Sequence, residues 1–115
     1  MRIDLETNVV SRRLDEQSIN SAVTLLSALE NSKRLTILRI LVEGEMPVGQ
    51  LAEKVGLSQS ALSQHLSKLR NANVVQTRRD AQTIYYFSRS EPVRQILAAL
   101  EEIFSEEAPR LSVPA

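Results

Sequence analysis

The stretch VGQLAEKVGLSQSALSQHLSKLR, residues 48–70, limits the possible folds more than any other. It contains two amphipathic repeats separated by one glycine. In the first, Val48, Leu51, Ala52 and Val55 fall on one face at helical spacing. Pro47 suits the first position of that helix, and Gly56 ends it. Leu57 is followed by Ser58, a good N-cap, and the second repeat runs to about Asn73. A short helix, a tight glycine turn and a second helix make the sequence form of a helix-turn-helix.

The flanking residues extend this unit. From Asp15 onward, Ile19, Ala22, Val23, Leu26 and Leu29 predict a helix. Asn31-Ser32 interrupts it and caps a second helix carrying Leu35, Leu38, Leu41 and Val42, with Gly44 suited to its C-terminal end. Beyond Asn73 the period changes to two. VVQTRR and TIYYFS are rich in β-branched and aromatic residues, and Asp80-Ala81-Gln82 lies between them as a turn. That turn holds no glycine, so it is not a hairpin of the Asn-Gly type. Pro92 then opens a last helix with an apolar stripe of Val93, Ile96, Leu97, Leu100, Ile103 and Phe104. Four helices, a hairpin and a fifth helix describe a mainly α chain with a β-hairpin wing, a winged helix-turn-helix in the α+β sense. We expect one domain over residues 15–106, with flexible tails at 1–14 and 107–115.

On the helix following Ser58, Leu62, Leu66 and Leu69 share one arc, with Ala61 and His65 at its edge. Ser60, Ser63, Gln64 and Ser67 share the opposite arc, with Gln59, Lys68 and Arg70 at its margins. An ordinary solvated face carries Glu and Lys. This one is short, polar and mostly uncharged. Glutamine can bond adenine in two places, and serine can bond a base edge or a phosphate. Gln59 stands at the N-terminal end, where a recognition helix meets bases. A plain solvent-facing stripe is the competing reading. Charge favours the first: residues 58–89 hold Lys68, Arg70, Arg78, Arg79 and Arg89 against Asp80 alone, although the whole chain is neutral. Phosphate contacts position a protein on DNA, and base contacts specify the sequence.

Other functions find little support. Cysteine is absent, which removes disulfides, thiol sensing and thiolate metal sites. His65 is the single histidine; beside a leucine face it reads as a packing or backbone-bonding residue. No metal, cofactor or enzymatic activity is expected. The three glycines form no phosphate-cradling loop, and no nucleophile–base pair is visible. No apolar run nears the ~18 residues of a membrane span, and the first residues lack a signal-peptide core. We therefore expect a cytoplasmic protein, associated with the chromosome through DNA binding. The stripe of the last helix is open to two readings, core or dimer seam. A second helix with an apolar face, in a domain with a small core, favours the seam. The candidate interface is Ile19, Val23, Leu26, Val93, Leu97, Leu100 and Phe104.

These residues carry a resemblance. NSKRLTILRILVEGEMPVGQLAEKVGLSQSALSQHLSKLR and VVQTRRDAQTIYYFSRS resemble the core and wing of the arsenic-repressor (ArsR/SmtB) family of bacterial winged-helix regulators, over roughly residues 18–104. LSQSALSQHLSKLR followed by TRRDAQTIYY is similar to the subgroup of the nodulation and biofilm-growth repressors. The resemblance implies a homodimer joined through its first and last helices, binding double-stranded DNA at an imperfect inverted repeat. By the family's pattern, Gln59, Ser60, Ser63 and Gln64 would read bases. Ser58, Lys68 and the wing residues Arg78, Arg79 and Gln82 would bind or approach the backbone. Metal-sensing members carry cysteines where this chain has Glu45-Met46-Pro47-Val48-Gly49, and zinc-sensing members carry His on the last helix, where this chain has none. Sulfide-sensing relatives use two cysteines, one of them near the position of Arg39 here. The expectation is a repressor without a metal or thiol switch, with room left for an unknown small-molecule effector. The alternative is a winged-helix protein-interaction module, or an anti-repressor that competes with another DNA-binding protein.

Overall fold

The computed structural model describes residues 13–105, so both expected tails lie almost wholly outside the described residues. Five helices and a three-stranded sheet follow one another as α1 (Glu16–Leu29), α2 (Ser32–Leu41), β1 (Met46–Pro47), α3 (Val48–Val55), α4 (Gln59–Asn71), β2 (Gln76–Asp80), β3 (Thr83–Phe87) and α5 (Glu91–Phe104). Four of the five helices start on a side-chain cap. Asp15, Asn31, Ser58 and Ser90 each accept a backbone N–H three residues on, which satisfies an otherwise orphaned donor. The bond from the Ser18 N–H holds the Asp15 carboxyl below its ordinary range.

The helix-turn-helix joint closes as the sequence predicts. Gly56 adopts φ 72°, the Leu57 N–H returns to the Ala52 carbonyl at 3.0 Å, and the Gly56 N–H returns to Glu53 at 3.2 Å. The same device ends α4. There Asn73 takes φ 62°, and the Val74 N–H reaches the Leu69 carbonyl at 3.1 Å. Asparagine tolerates this left-handed conformation, so no glycine is needed.

Three local expectations change. Helix α2 ends at Leu41 and not near Gly44. Its last carbonyls are taken from elsewhere: Leu41 by the Ser88 N–H at 3.0 Å and Val42 by the Arg94 guanidinium at 2.6 Å. Met46 and Pro47 form a third strand, pairing antiparallel with Tyr86 and Tyr85 of β3 in the order β1-β3-β2. Pro47 sits on an edge strand, where a missing N–H does little harm. The hairpin loop shrinks to Ala81-Gln82, because Asp80 pairs with Thr83. Ala81 takes φ 58° there, a conformation that an alanine adopts at a cost of about 1–2 kcal/mol.

The core gathers Ile37, Leu38 and Leu41 of α2, Leu51 of α3, Leu62, Leu66 and Leu69 of α4, and Val93 of α5, all essentially without solvent contact. Val93 is therefore corrected from candidate seam residue to core residue: at 0% exposure it has no surface left for a partner. Ser88 is buried among apolar groups and is satisfied by donating to the Val74 carbonyl at 2.6 Å.

Candidate nucleic-acid interface

Leu62, Leu66 and Leu69 turn α4 so that its opposite face meets solvent. Burying each contributes about 1.5–3 kcal/mol. Each of Ser60, Ser63 and Ser67 loses roughly 0.5 kcal/mol of helix propensity against alanine. The leucine anchors win by several-fold, so the helix stands despite its serine-rich face. Gln59, Ser60, Ser63, Gln64 and Ser67 are all exposed on it, together with Lys68 and Arg70 near its C-terminal end. Ser58 serves the helix first: its Oγ accepts from the Ala61 N–H at 3.2 Å and lies 3.3 Å from the Ser60 Oγ. Among the described residues no acid lies within salt-bridge reach of Lys68, Arg70 or Arg79, so these cations are available to phosphate.

Arg78 is placed differently. Its Nε and Nη2 donate to the two oxygens of Glu45 at 2.9 and 2.6 Å. Its guanidinium carbon stands 4.4 Å from the centre of the Tyr85 ring, and Nη1 lies 3.9 Å from Asp80. The strand register explains this. Arg78 pairs with Tyr85, Tyr85 pairs with Pro47, and Glu45 lies two residues before Pro47 on the same face. Hydrogen bonding to Arg78 holds the Glu45 carboxyl below its ordinary range, and the same bond raises Arg78. In this structure Arg78 is thus a neutralised wing residue, in contrast to Arg79 beside it. Gln82 is exposed in the turn at the wing tip.

His65 also acquires a partner that the sequence does not reveal. Arg34 donates from Nε to the Ala28 carbonyl at 2.6 Å and from Nη2 to the Ser27 carbonyl at 3.3 Å, and its Nη1 lies 3.3 Å from His65 Nδ1. Arginine only donates, so Nδ1 must accept and the imidazole is neutral. Burial, then the nearby Arg34 charge, lowers the histidine's pKa. One side chain thereby joins the end of α1, the start of α2 and the middle of α4. Among the described residues no cluster of three or more His, Asp or Glu side chains could hold a metal.

The seam candidates lie on α1 and α5. Ile19, Val23 and Leu26 are about half exposed, and Phe104 is 74% exposed. Val23, Leu26, Ile96 and Leu100 line one open groove of about 450 Å³ between the two helices. Leu97 is half-buried against the core and lines a second groove with Leu100 and Phe104.

A tight turn between α3 and α4, a polar exposed second helix and a cationic hairpin define a winged-helix DNA-binding transcriptional regulator. Residues 31–77 match the family described as bacterial regulatory protein, arsR family. The chain is 64% identical over 86 residues to the nodulation protein NolR of Rhizobium meliloti, spanning 75% of this chain and 70% of that one. It is 43% identical over 95 residues to the transcriptional activator HlyU of Vibrio cholerae, spanning 81% of this chain and 88% of the relative. The crystal structure of NolR from Sinorhizobium fredii superposes with a TM-score of 0.76 at 57% identity, covering 85% of this chain and 99% of that one. The chain belongs to the arsR family of bacterial regulatory proteins, on its nodulation-protein side.

Proposed function

We propose that this regulator is a repressor that binds an inverted-repeat operator as a homodimer, with one α4 in each of two successive major grooves. The observation that carries this reading is the exposed, uncharged stripe on α4, set opposite three buried leucines and flanked by exposed cations with no acid in reach among the described residues. Gln59, Ser60, Ser63 and Gln64 have the chemistry to read base edges. Ser58, Ser67, Lys68, Arg70, Arg79 and Gln82 would hold the phosphate backbone, a role that their exposure supports. Two recognition helices per operator require two protomers, and the exposed apolar faces of α1 and α5 are the surfaces that would join them. With no cysteine in the chain, a thiol switch has no chemistry to use. No helix among the described residues is long and apolar enough to cross a membrane, which agrees with a regulator working beside the chromosome in the cytoplasm.

Titration of the intact protein into labelled duplex at rising salt tests this. Log K should fall steeply with log salt, by about 0.9 for each phosphate neutralised. Affinity indifferent to salt would contradict the reading.

A further inference from the structure

Building on the DNA-binding reading, we propose that Glu45 is a positioning residue that withholds Arg78 from the DNA backbone and so sets how tightly the wing holds it. Three observations meet at this point. The Arg78–Glu45 contact is bidentate, with both carboxylate oxygens engaged, which is the geometry a phosphate would offer the same guanidinium. Tyr85 lies under the guanidinium at 4.4 Å and fixes its plane. Asp80 adds a second negative charge at 3.9 Å, so Arg78 and its two neighbours together carry one net negative charge. Of the two arginines on β2, only Arg79 has no acid within salt-bridge reach among the described residues.

The pair is 44% and 42% exposed at its two side chains, so water reaches it and a competing anion can displace the carboxylate. Displacement leaves Glu45 bare beside a phosphate, which opposes the exchange. The carboxylate thus acts on the backbone-holding part of binding, which carries no sequence information. Its removal affects operator and random DNA alike. A simple fastening role predicts the opposite sign: cutting a strut would loosen the wing and weaken binding.

The test is fluorescence anisotropy of the full chain on an operator duplex and on a scrambled duplex, across a salt series, for wild type, Glu45→Gln and Glu45→Gln/Arg78→Ala. Glu45→Gln keeps shape and removes charge at an exposed site, and circular dichroism checks its fold. It should bind both duplexes several-fold more tightly. Its salt slope should steepen by about 0.9 for each freed arginine. The double variant should lose the gain. Unchanged or weaker binding by Glu45→Gln overturns the proposal. A gain that persists without Arg78 also overturns it, since the effect would then be that of one acid fewer. Wild type that binds neither duplex would refute the DNA-binding reading itself, which separates the two failures.

Discussion

Replacing Leu26 with glutamate tests the seam where its effect can be worked out. Leu26 is 55% exposed on α1 and lines the groove shared with Val23, Ile96 and Leu100. Fully burying a leucine contributes about 1.5–3 kcal/mol, so covering the exposed half contributes about 0.8–1.6 kcal/mol. A two-fold interface uses the residue twice, which makes the loss about 2–3 kcal/mol. Each carboxylate carried into an apolar seam without a partner adds several kcal/mol more. The sum exceeds about 6 kcal/mol, more than ten-thousand-fold in the dimer dissociation constant. The protomer itself should change little, because Ala28 and Leu29 hold α1 to the core and Leu26 already faces water. Sedimentation velocity reads the outcome directly. Wild type should sediment at twice the chain mass of 12.9 kDa and the variant at that mass, with an unchanged circular dichroism spectrum. A variant that still sediments at twice the chain mass, with wild-type concentration dependence, would refute the assignment of α1 to the seam.

Gln59→Ala should weaken operator binding by about 1–3 kcal/mol and binding to random duplex much less, measured by anisotropy on both; equal losses would remove Gln59 from base reading. The lowered pKa of His65 fixes a sign for pH. Below about pH 6.5 the unfolded chain takes up the proton more readily than the folded one, so stability present above that pH is lost as pH falls. Since His65 is the only histidine, His65→Gln should flatten this dependence in urea melts between pH 7.5 and 5, at fixed protein concentration; an identical slope would contradict the Arg34–His65 contact. Ala81→Gly should stabilise the fold by about 0.5–1 kcal/mol, since glycine adopts φ 58° without strain, and a lower denaturation midpoint would argue against that turn.

Much of this was legible in the sequence because it rests on short-range rules. Helical periodicity, the caps at Asn31 and Ser58, the αL glycine at 56 and the period-two pattern after Asn73 each act within a few residues. They placed all five helices and both hairpin strands. The α4 stripe was legible for the same reason, since three leucines on one arc leave one face to solvent. What could not be read depends on residues far apart in the chain. β1 is two residues long and shows no alternation; only its pairing with Tyr85 and Tyr86 makes it a strand. Gly44 looked like a helix stop, yet Ser88 and Arg94 supply the missing donors from 47 and 52 residues away. Val93 sits at a stripe position, but it lies in the first turn of α5 and is buried in the core. Arg78 and Glu45 are 33 residues apart, and no local signal marks one as the partner of the other.

Selection of bound duplexes from a random pool decides whether α4 reads sequence from both protomers of a dimer. The proposed dimeric reading predicts enrichment of an inverted repeat whose half-sites lie about one helical turn, roughly 10 base pairs, apart. A pool that stays random after repeated selection, while the protein remains folded, would contradict the account and leave the serine and glutamine stripe as a solvated surface.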